Sequence, residues 1–385
     1  MKKLKMGMIG GGQGSFIGDV HRKAASIDGM IELVCGAFSS KPERSVATAK
    51  ELNLAESRAY KDFEEMIEKE AALPEDERMD IVSIVTPNHM HFPPAKKALQ
   101  SGFHVICDKP MTLTLEEAEE LEQIVEKTGK VFALTHTYTG YPMVKQARAM
   151  VEKGDLGDIR KVNVHYLQGW MTTDVENTDN KQASWRVDPK KSGIGGALGD
   201  IGTHAENLVE YVTGIEISEI AADLSTFGKG RVLDDDGNIL MRLKNGAKGT
   251  MSISQIAAGE ENNLSLRVYG TKGSLEWHQE NPNELTVRML EEPKKIYTPG
   301  GNGTYPASAD YTRIPPGHPE GYLEAFATLY RSFAKEVNSV KSGEKLSKVL
   351  DFPTVSDGLR GMQFIYAAVE SGKQNASWIA LNQKA

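Results

Sequence analysis

Over the first third of the chain, short apolar runs alternate with segments whose apolar positions recur every three or four residues. The runs are Leu4–Ile9, Ile31–Phe38, Asp80–Val85, His104–Cys107 and Val131–Thr135, and the periodic segments lie near 17–28, 43–52, 61–72, 91–101 and 114–128. Strand-length runs separated by helix-length amphipathic segments predict a doubly wound parallel sheet with helices on both faces. From Arg160 the pattern changes. Strand-like runs at Lys161–Leu167, Glu219–Phe227, Asn238–Leu243, Gly249–Gln255 and Leu264–Tyr269 follow one another through hairpin-type breaks such as Asp236-Gly237 and Asn245-Gly246. That spacing predicts a large, mostly antiparallel sheet in an α+β domain. One face is expected to pack on helices over Ala205–Val212, Glu320–Val340 and Thr354–Ser371. The other, open face needs cover, for which a neighbouring subunit is the simplest source.

At 385 residues the chain exceeds the size at which one core usually divides. The expected domains are 1–140 and 141–385. The net charge of -8, without a long basic run, argues against a nucleic-acid partner. No segment approaches the ~20 apolar residues of a membrane span. The apolar run after Met1-Lys2-Lys3 ends at Gly10, too early for a signal-peptide core, and reads as a first strand. Cys35 and Cys107 both fall in apolar runs, so buried, inert thiols in a reducing, cytoplasmic setting are expected.

The chemistry-bearing residues collect where strands are expected to end, the place where open α/β sheets bind ligands. After the first strand comes Gly10-Gly11-Gly12-Gln13-Gly14-Ser15-Phe16-Ile17-Gly18, leading into a helix that carries His21. Glycines there allow a tight turn and a close approach of backbone to a dinucleotide pyrophosphate. The third glycine of the usual fingerprint would stand at 15. Either Ser15 replaces it, or the loop is longer and Gly18 takes the close-packing role; we prefer the longer loop. The second strand ends without an acidic residue. Ser39, Ser40, Lys41 and Arg44 could accept a 2′-phosphate or form an ordinary polar loop, so NAD and NADP both stay open. The third strand ends Thr86-Pro87-Asn88-His89-Met90-His91 and the fourth Cys107-Asp108-Lys109-Pro110. No third ligand follows His89 and His91 at metal-site spacing, so no metal is expected. Lys109, held at a strand end, can donate to a substrate oxygen or share its proton.

Further along, Gly195-Gly196-Ala197-Leu198-Gly199-Asp200-Ile201-Gly202-Thr203-His204 opens an apolar-periodic segment. On a helix, Asp200 and His204 share one face and could move a proton together. An Asp near a helix dipole beside a core His would give the same pattern.

Taken in order, the glycine loop with His21, Thr86-Pro87-Asn88 with His91, Asp108-Lys109-Pro110 and the run from Gly195 to His204 resemble the Gfo/Idh/MocA family of NAD(P)-dependent oxidoreductases. Asp108 stands where that family usually has Glu. The resemblance implies a Rossmann domain followed by an open-faced sheet, and dimers or tetramers built through that sheet. It implies a catalytic triad of Lys109, Asp200 and His204. The long glycine loop is similar to that of sugar and inositol dehydrogenases, which favours NAD. The activity implied is oxidation of a secondary alcohol on a cyclic polyol or sugar. An NAD-dependent glycosidase working by transient oxidation, and a non-catalytic NAD(P)-binding metabolite sensor, are the alternatives on the same fold. His136 and Tyr138, after the fifth strand, are expected to line the substrate pocket. Residues 171–193 are polar and aperiodic, a plausible loop over that site; within it Arg186 could donate to substrate hydroxyls or be a surface arginine. His318, between Gly317 and Pro319, could reach a polyol hydroxyl or cap the following helix. His165 and His278 fall on strand patterns as ordinary sheet residues.

Overall fold

The computed structural model describes residues 3–178, 180–344, 346 and 351–381. The chain divides into two compact units, Met1–Thr137 with Tyr322–Leu359, and Tyr138–Gly321 with Arg360–Ala385. Whereas the sequence reading divides the chain once at residue 140, the first unit takes back a later stretch.

The first unit opens with β1 (Leu4–Gly10), α1 (Phe16–Ile27), β2 (Ile31–Ala37), α2 (Pro42–Glu51), α3 (Phe63–Ala71), β3 (Ile81–Val85), α4 (Phe92–Gln100), β4 (His104–Cys107), α5 (Leu115–Thr128) and β5 (Phe132–Leu134). These strands form a parallel sheet in the order β2-β1-β3-β4-β5. Every residue of β3 and β4 is buried, as helices on both faces require. Helix starts are written locally: Thr114 and Glu117 form a reciprocal capping box on α5, and Asp62 caps α3. The strand order reverses between β1 and β3. Their carboxyl ends, carrying the glycine loop and Thr86, therefore flank the crevice where such sheets bind ligands.

The second unit runs through α6 (Pro142–Glu152), β6 (Ile159–Leu167), α7 (Lys181–Arg186), α8 (Pro189–Ser192), α9 (Thr203–Thr213) and β7 (Ile217–Ser225). It continues with β8 (Asp236–Leu243), β9 (Lys248–Ser254), β10 (Asn263–Gly270), β11 (Gly273–His278), β12 (Leu285–Met289), β13 (Lys295–Tyr297) and α10 (Pro306–Ala309). The sheet order is β13-β12-β11-β10-β6-β9-β8-β7, closed at one edge by the later β14 (Ile379–Ala380). All pairs are antiparallel except β6 with β9, which run parallel. Along β8, Gly237, Ile239, Met241 and Leu243 are buried while Asn238 and Leu240 are exposed, the alternation of a sheet covered on one face. Helix α9 packs against β6 and β10. Strands β11 to β14 extend the sheet beyond the five runs legible from periodicity. They are short, and Gly, Asn and Pro at 281–283 and 300–303 break their pattern.

One expectation is corrected. The helix expected over Glu320–Val340 forms as α11 (Tyr322–Ser342), but it belongs to the first unit, where it packs on α1. Its Phe326, Ala327, Tyr330, Phe333, Ala334 and Val337 join Met6, Val20, Ala24 and Ile81 in one core. Periodicity shows that a helix has an apolar face; it does not say which sheet that face will meet. Helix α12 (Val355–Lys373) follows, and from Arg360 onward it belongs to the second unit, where Ser371 Oγ accepts the Ala222 amide at 2.8 Å.

Candidate active site

In the first unit the glycine loop is shaped as a phosphate cradle. Gly10, Gly11 and Gly14 hold positive φ of 82°, 72° and 78°. Gly12 brings its backbone so close to β2 that a Cβ would stand 2.7 Å from the Phe38 carbonyl oxygen. Gly14 faces open space, with nothing within 4 Å of a built Cβ. Ser15 is the N-cap of α1, its Oγ accepting the Gly18 amide at 3.2 Å. Gly18 does the close packing: a Cβ there would lie 2.4 Å from Gly11 Cα. Both alternatives for the third glycine therefore have a physical role, Ser15 as cap and Gly18 as contact. Two supports were not read from sequence. Arg22 Nη1 donates to the Gly11 carbonyl at 2.6 Å, and Thr48 Oγ1 accepts the Gln13 amide. Phe16 and Ile17 form the first turn of α1, Phe16 being 69% exposed beside the loop. A helix N-terminus, a cradle that only glycine fits and open space in front of Gly14 suit a dinucleotide pyrophosphate. At the end of β2, Ser39 Oγ accepts the Lys41 amide, Ser40 is exposed, and Arg44 reaches the Gln13 carbonyl at 3.4 Å.

At the ends of β3, β4 and β5 the polar groups are tied to one another. His91 turns Nδ1 to the Pro110 carbonyl at 2.7 Å and Nε2 to the Thr86 carbonyl at 2.8 Å. It thus links the loop bearing Thr86, Pro87 and the buried Asn88 to the one bearing Lys109. A neutral imidazole can donate to only one of these oxygens. Burial lowers the proton affinity of His91, and the charge of Asp108 opposes that. Asp108 Oδ1 accepts both the Lys109 amide at 3.1 Å and Thr135 Oγ1 at 2.8 Å. His136 is fully buried and its pKa is lowered to about 3, by burial first and then by the positive charge of Lys109. A neutral imidazole beside the lysine can donate or accept a hydrogen bond without adding a second cation.

Beneath these groups lies a buried polar cluster that periodicity did not reveal. His21 Nδ1 meets the Tyr330 hydroxyl at 2.8 Å, and Ser83 Oγ meets the same hydroxyl at 2.9 Å. The cluster joins α1, β3 and α11. Burial lowers the pKa of His21 to about 4 and raises that of Tyr330. Cys35 and Cys107 are fully buried, and burial raises both thiols.

In the second unit, Asp200 lies in a wide π turn, Leu198–Gly202, that leads directly into α9 and His204. Such turns re-aim side chains and often mark functional positions. Asp200 Oδ2 accepts Arg186 Nε at 3.0 Å and Gln255 Nε2 at 2.8 Å. Arg186 is held in turn by the Gln182 carbonyl and Oε1, and its guanidinium lies 4.4 Å from the Trp185 ring centroid and 5.9 Å from that of Trp170. So Arg186 is an ion-pair partner of the expected catalytic carboxylate. Tyr138 packs edge-on against His204 at 4.8 Å. Its hydroxyl bonds that of Tyr166, which donates to Asn262 Oδ1 at 2.8 Å. Gln168 Nε2 donates to the same oxygen at 2.7 Å, and Trp170 Nε1 donates to Gln168 at 3.0 Å. Tyr166, Gln168, Gln255 and Asn262 were not singled out from sequence; no local motif marks them. Within 171–193 the aperiodic stretch holds α7 and α8. His318 is exposed in the turn 315–318, Nδ1 facing the Pro315 carbonyl at 3.1 Å. His165 lies on β6 and His278 on β11. Among the described residues no group of three or more His, Cys, Asp or Glu is arranged to hold a metal ion, and no helix is long and apolar enough to cross a membrane.

A glycine cradle at the switch point of a doubly wound sheet, with Lys109 at a neighbouring strand end, defines a dinucleotide-binding oxidoreductase of the Rossmann class. Residues 4–136 match the oxidoreductase family with NAD-binding Rossmann fold, and residues 144–276 match the GFO/IDH/MocA C-terminal domain. The chain belongs to the GFO/IDH/MocA family of oxidoreductases. An inositol dehydrogenase homolog from Azotobacter vinelandii, complexed with NAD+, is 35% identical, with 98% of this chain and 97% of that one covered and a TM-score of 0.95. A structure of such a homolog from the same organism with NADH and myo-inositol is 34% identical at a TM-score of 0.92, covering 98% of both chains. An oxidoreductase from Sinorhizobium meliloti is 46% identical at a TM-score of 0.89, covering 98% of this chain and 100% of that one. Levoglucosan dehydrogenase from Pseudarthrobacter phenanthrenivorans is 29% identical over 417 residues, covering 100% of this chain and 99% of that protein.

Proposed function

We propose that the protein oxidises a secondary alcohol of an uncharged cyclic polyol or sugar with NAD+. The observation that carries this reading is the placement of Asp200 in the π turn that leads into α9 and His204, with Arg186 and Gln255 holding the carboxylate and Tyr138 against the imidazole. His204 takes the hydroxyl proton. Asp200 orients the substrate and favours the protonated imidazole that forms. Lys109 stabilises the developing alkoxide. Tyr138, Tyr166, Gln168 and Asn262 supply uncharged donors and acceptors, and the charge of Arg186 is already met by Asp200. Neutral hydroxyls suit that inventory better than a phosphate or carboxylate.

The residues of the glycine loop, Gly10, Gly12, Gln13, Gly14, Ser15, Phe16 and Ile17, would hold the dinucleotide, with Thr86, Pro87, Asn88, His91 and Asp108 at the adjoining strand ends. The nicotinamide ring, when bound, supplies the hydride acceptor. NAD is preferred to NADP because the structures of the inositol dehydrogenase homologs hold NAD+ and NADH, and because Arg44 already reaches the Gln13 carbonyl. We further read the open face of the large sheet, where Leu240 on β8 is 52% exposed, as covered by a second copy of this chain. Light scattering that returns a monomer at micromolar concentration removes that part.

The test is reduced-cofactor formation at 340 nm, with NAD+ and NADP+ in parallel, across myo-inositol, levoglucosan, aldoses and their 6-phosphates. Turnover of a neutral polyol or sugar with NAD+ is expected. Turnover confined to a phosphorylated substrate, or none across the panel despite bound NADH, overturns the reading.

A further inference from the structure

The loop between β7 and β8 ends in Leu233-Asp234-Asp235, and these two aspartates face different ways. Asp235 locks the loop to itself. Its carboxylate accepts the Phe227 and Gly228 amides at 2.8 and 2.7 Å and pairs with Arg231 at 3.1 Å. Arg231 also pairs with Glu176 at 2.7 Å. Asp234 reaches the segment that carries Asp200. Its Oδ1 accepts the Gly196 amide at 2.7 Å, its Oδ2 the Leu198 amide at 2.6 Å, and its backbone carbonyl the Ala197 amide at 2.8 Å. Three successive amides at the start of the π turn and α9 thus end on one residue 36 to 38 positions away.

A helix start leaves several amides without intrahelical partners and carries partial positive charge. An aspartate usually meets that need from the adjacent N-cap position. Here the adjacent residues are glycines, which offer no side chain, and the carboxylate comes from across the fold. The fit is close: a Cβ at Gly196 would stand 2.1 Å from the Asp234 carbonyl oxygen.

We infer that Asp234 is a positioning residue: a tertiary cap that clamps Gly196, Ala197 and Leu198 and so sets where the following π turn presents Asp200. This inference rests on the reading of Asp200 and His204 as the reacting pair. Two charge-assisted bonds hold the turn from one side while Arg186 and Gln255 hold the Asp200 carboxylate from the other. Burial pushes the Asp234 carboxyl up to about 6, Asp235 adds to the rise, and the two amides oppose it.

Two measurements test this. In the wild-type protein, hydrogen exchange of the 196–198 amides should be slowed at least tenfold relative to those of the exposed Lys229 and Gly230; equal rates overturn the clamp. In turnover with NAD+ and the best substrate of the panel above, Asp234→Asn should lower kcat about 10–100-fold, the scale of a misplacement near 1 Å. The KM for NAD+ should stay within twofold. In an Asp200→Ala background the same substitution should cost less than a further twofold, because its effect passes through Asp200. A kcat within twofold of wild type, or an equal loss in both backgrounds, overturns the assignment. If Asp200→Ala and His204→Ala themselves leave turnover intact, the functional reading fails instead, and amide exchange still decides the clamp. The exchange measurement stands even if the Asn variant does not fold.

Discussion

The two polar corners of this protein are assembled in opposite ways. In the first unit the groups around Lys109 are joined over short spans of chain: His91 to Thr86 across 5 residues and to Pro110 across 19, Asp108 to Thr135 across 27. In the second, Asp200 is held by Arg186 across 14 residues and Gln255 across 55, its turn by Asp234 across 36, and Tyr138 meets Asn262 across 124. The difference follows from the sheets. A parallel sheet brings consecutive strand ends to one edge, so neighbouring loops can bond each other. The large sheet places β6, β9 and β10 side by side, so residues distant in sequence share one surface.

The sharpest way to break this comparison is to ask whether each corner fails in its own way. His204→Ala should lower turnover about 10²–10⁴-fold, the range of a lost general base, while NADH binding stays unchanged by fluorescence titration. Gly18→Ala should do the reverse. Its Cβ would stand 2.4 Å from Gly11 Cα, backbone against backbone, so the Kd for NADH should rise about tenfold or more with little effect on saturated turnover. Should both substitutions move both quantities equally, the division of labour is wrong. Next in size is Gln255→Leu, which removes one donor to Asp200; about a 3–10-fold fall in kcat is expected, near the 0.5–1.5 kcal/mol of one hydrogen bond.

Stability in acid also differs between the units. His21 and His104, with pKa lowered to about 4, and His136, lowered to about 3, lie below their usual 6.5 chiefly because burial disfavours the cation. Unfolding therefore takes up protons below pH 6.5. Their contribution is fully present above that value and is lost as pH falls toward 4, by up to about 1.4 kcal/mol per pH unit for each group. Asp234 has the opposite sign: raised from 3.8 to about 6, it binds its proton more tightly in the folded state, so acid in that interval favours folding. Amide exchange between pH 6.5 and 4.5 should show the first unit loosening first. Faster loosening around β6–β10 would contradict the assignment.

The local corner was largely legible because each part announces itself in a few consecutive residues. Glycines after a strand, Thr86-Pro87-Asn88 and Asp108-Lys109-Pro110 all stood out, and in the second unit so did the i, i+4 pair Asp200 and His204. Arg186 stood out too, but its partner did not. Arg22 under the glycine loop, Tyr166, Gln168, Gln255 and Asn262 did not stand out at all, since each is an ordinary residue of a helix, strand or loop until its neighbour across the fold is known.

Sequence alone determined the alternating strands and helices of the first unit, the change to hairpin-linked strands after Arg160, and the residue types able to move a proton or approach a phosphate. These rest on periodicity and on backbone freedom, which are properties of a few neighbouring residues. Only the tertiary structure decided that α11 returns to pack on α1, that Arg186 and Gln255 converge on Asp200, and that Asp234 caps a helix whose own preceding residues are glycines. Those outcomes depend on which surfaces meet when distant segments bury their apolar faces. An apolar stripe or a lone carboxylate specifies the need for a partner but not its address.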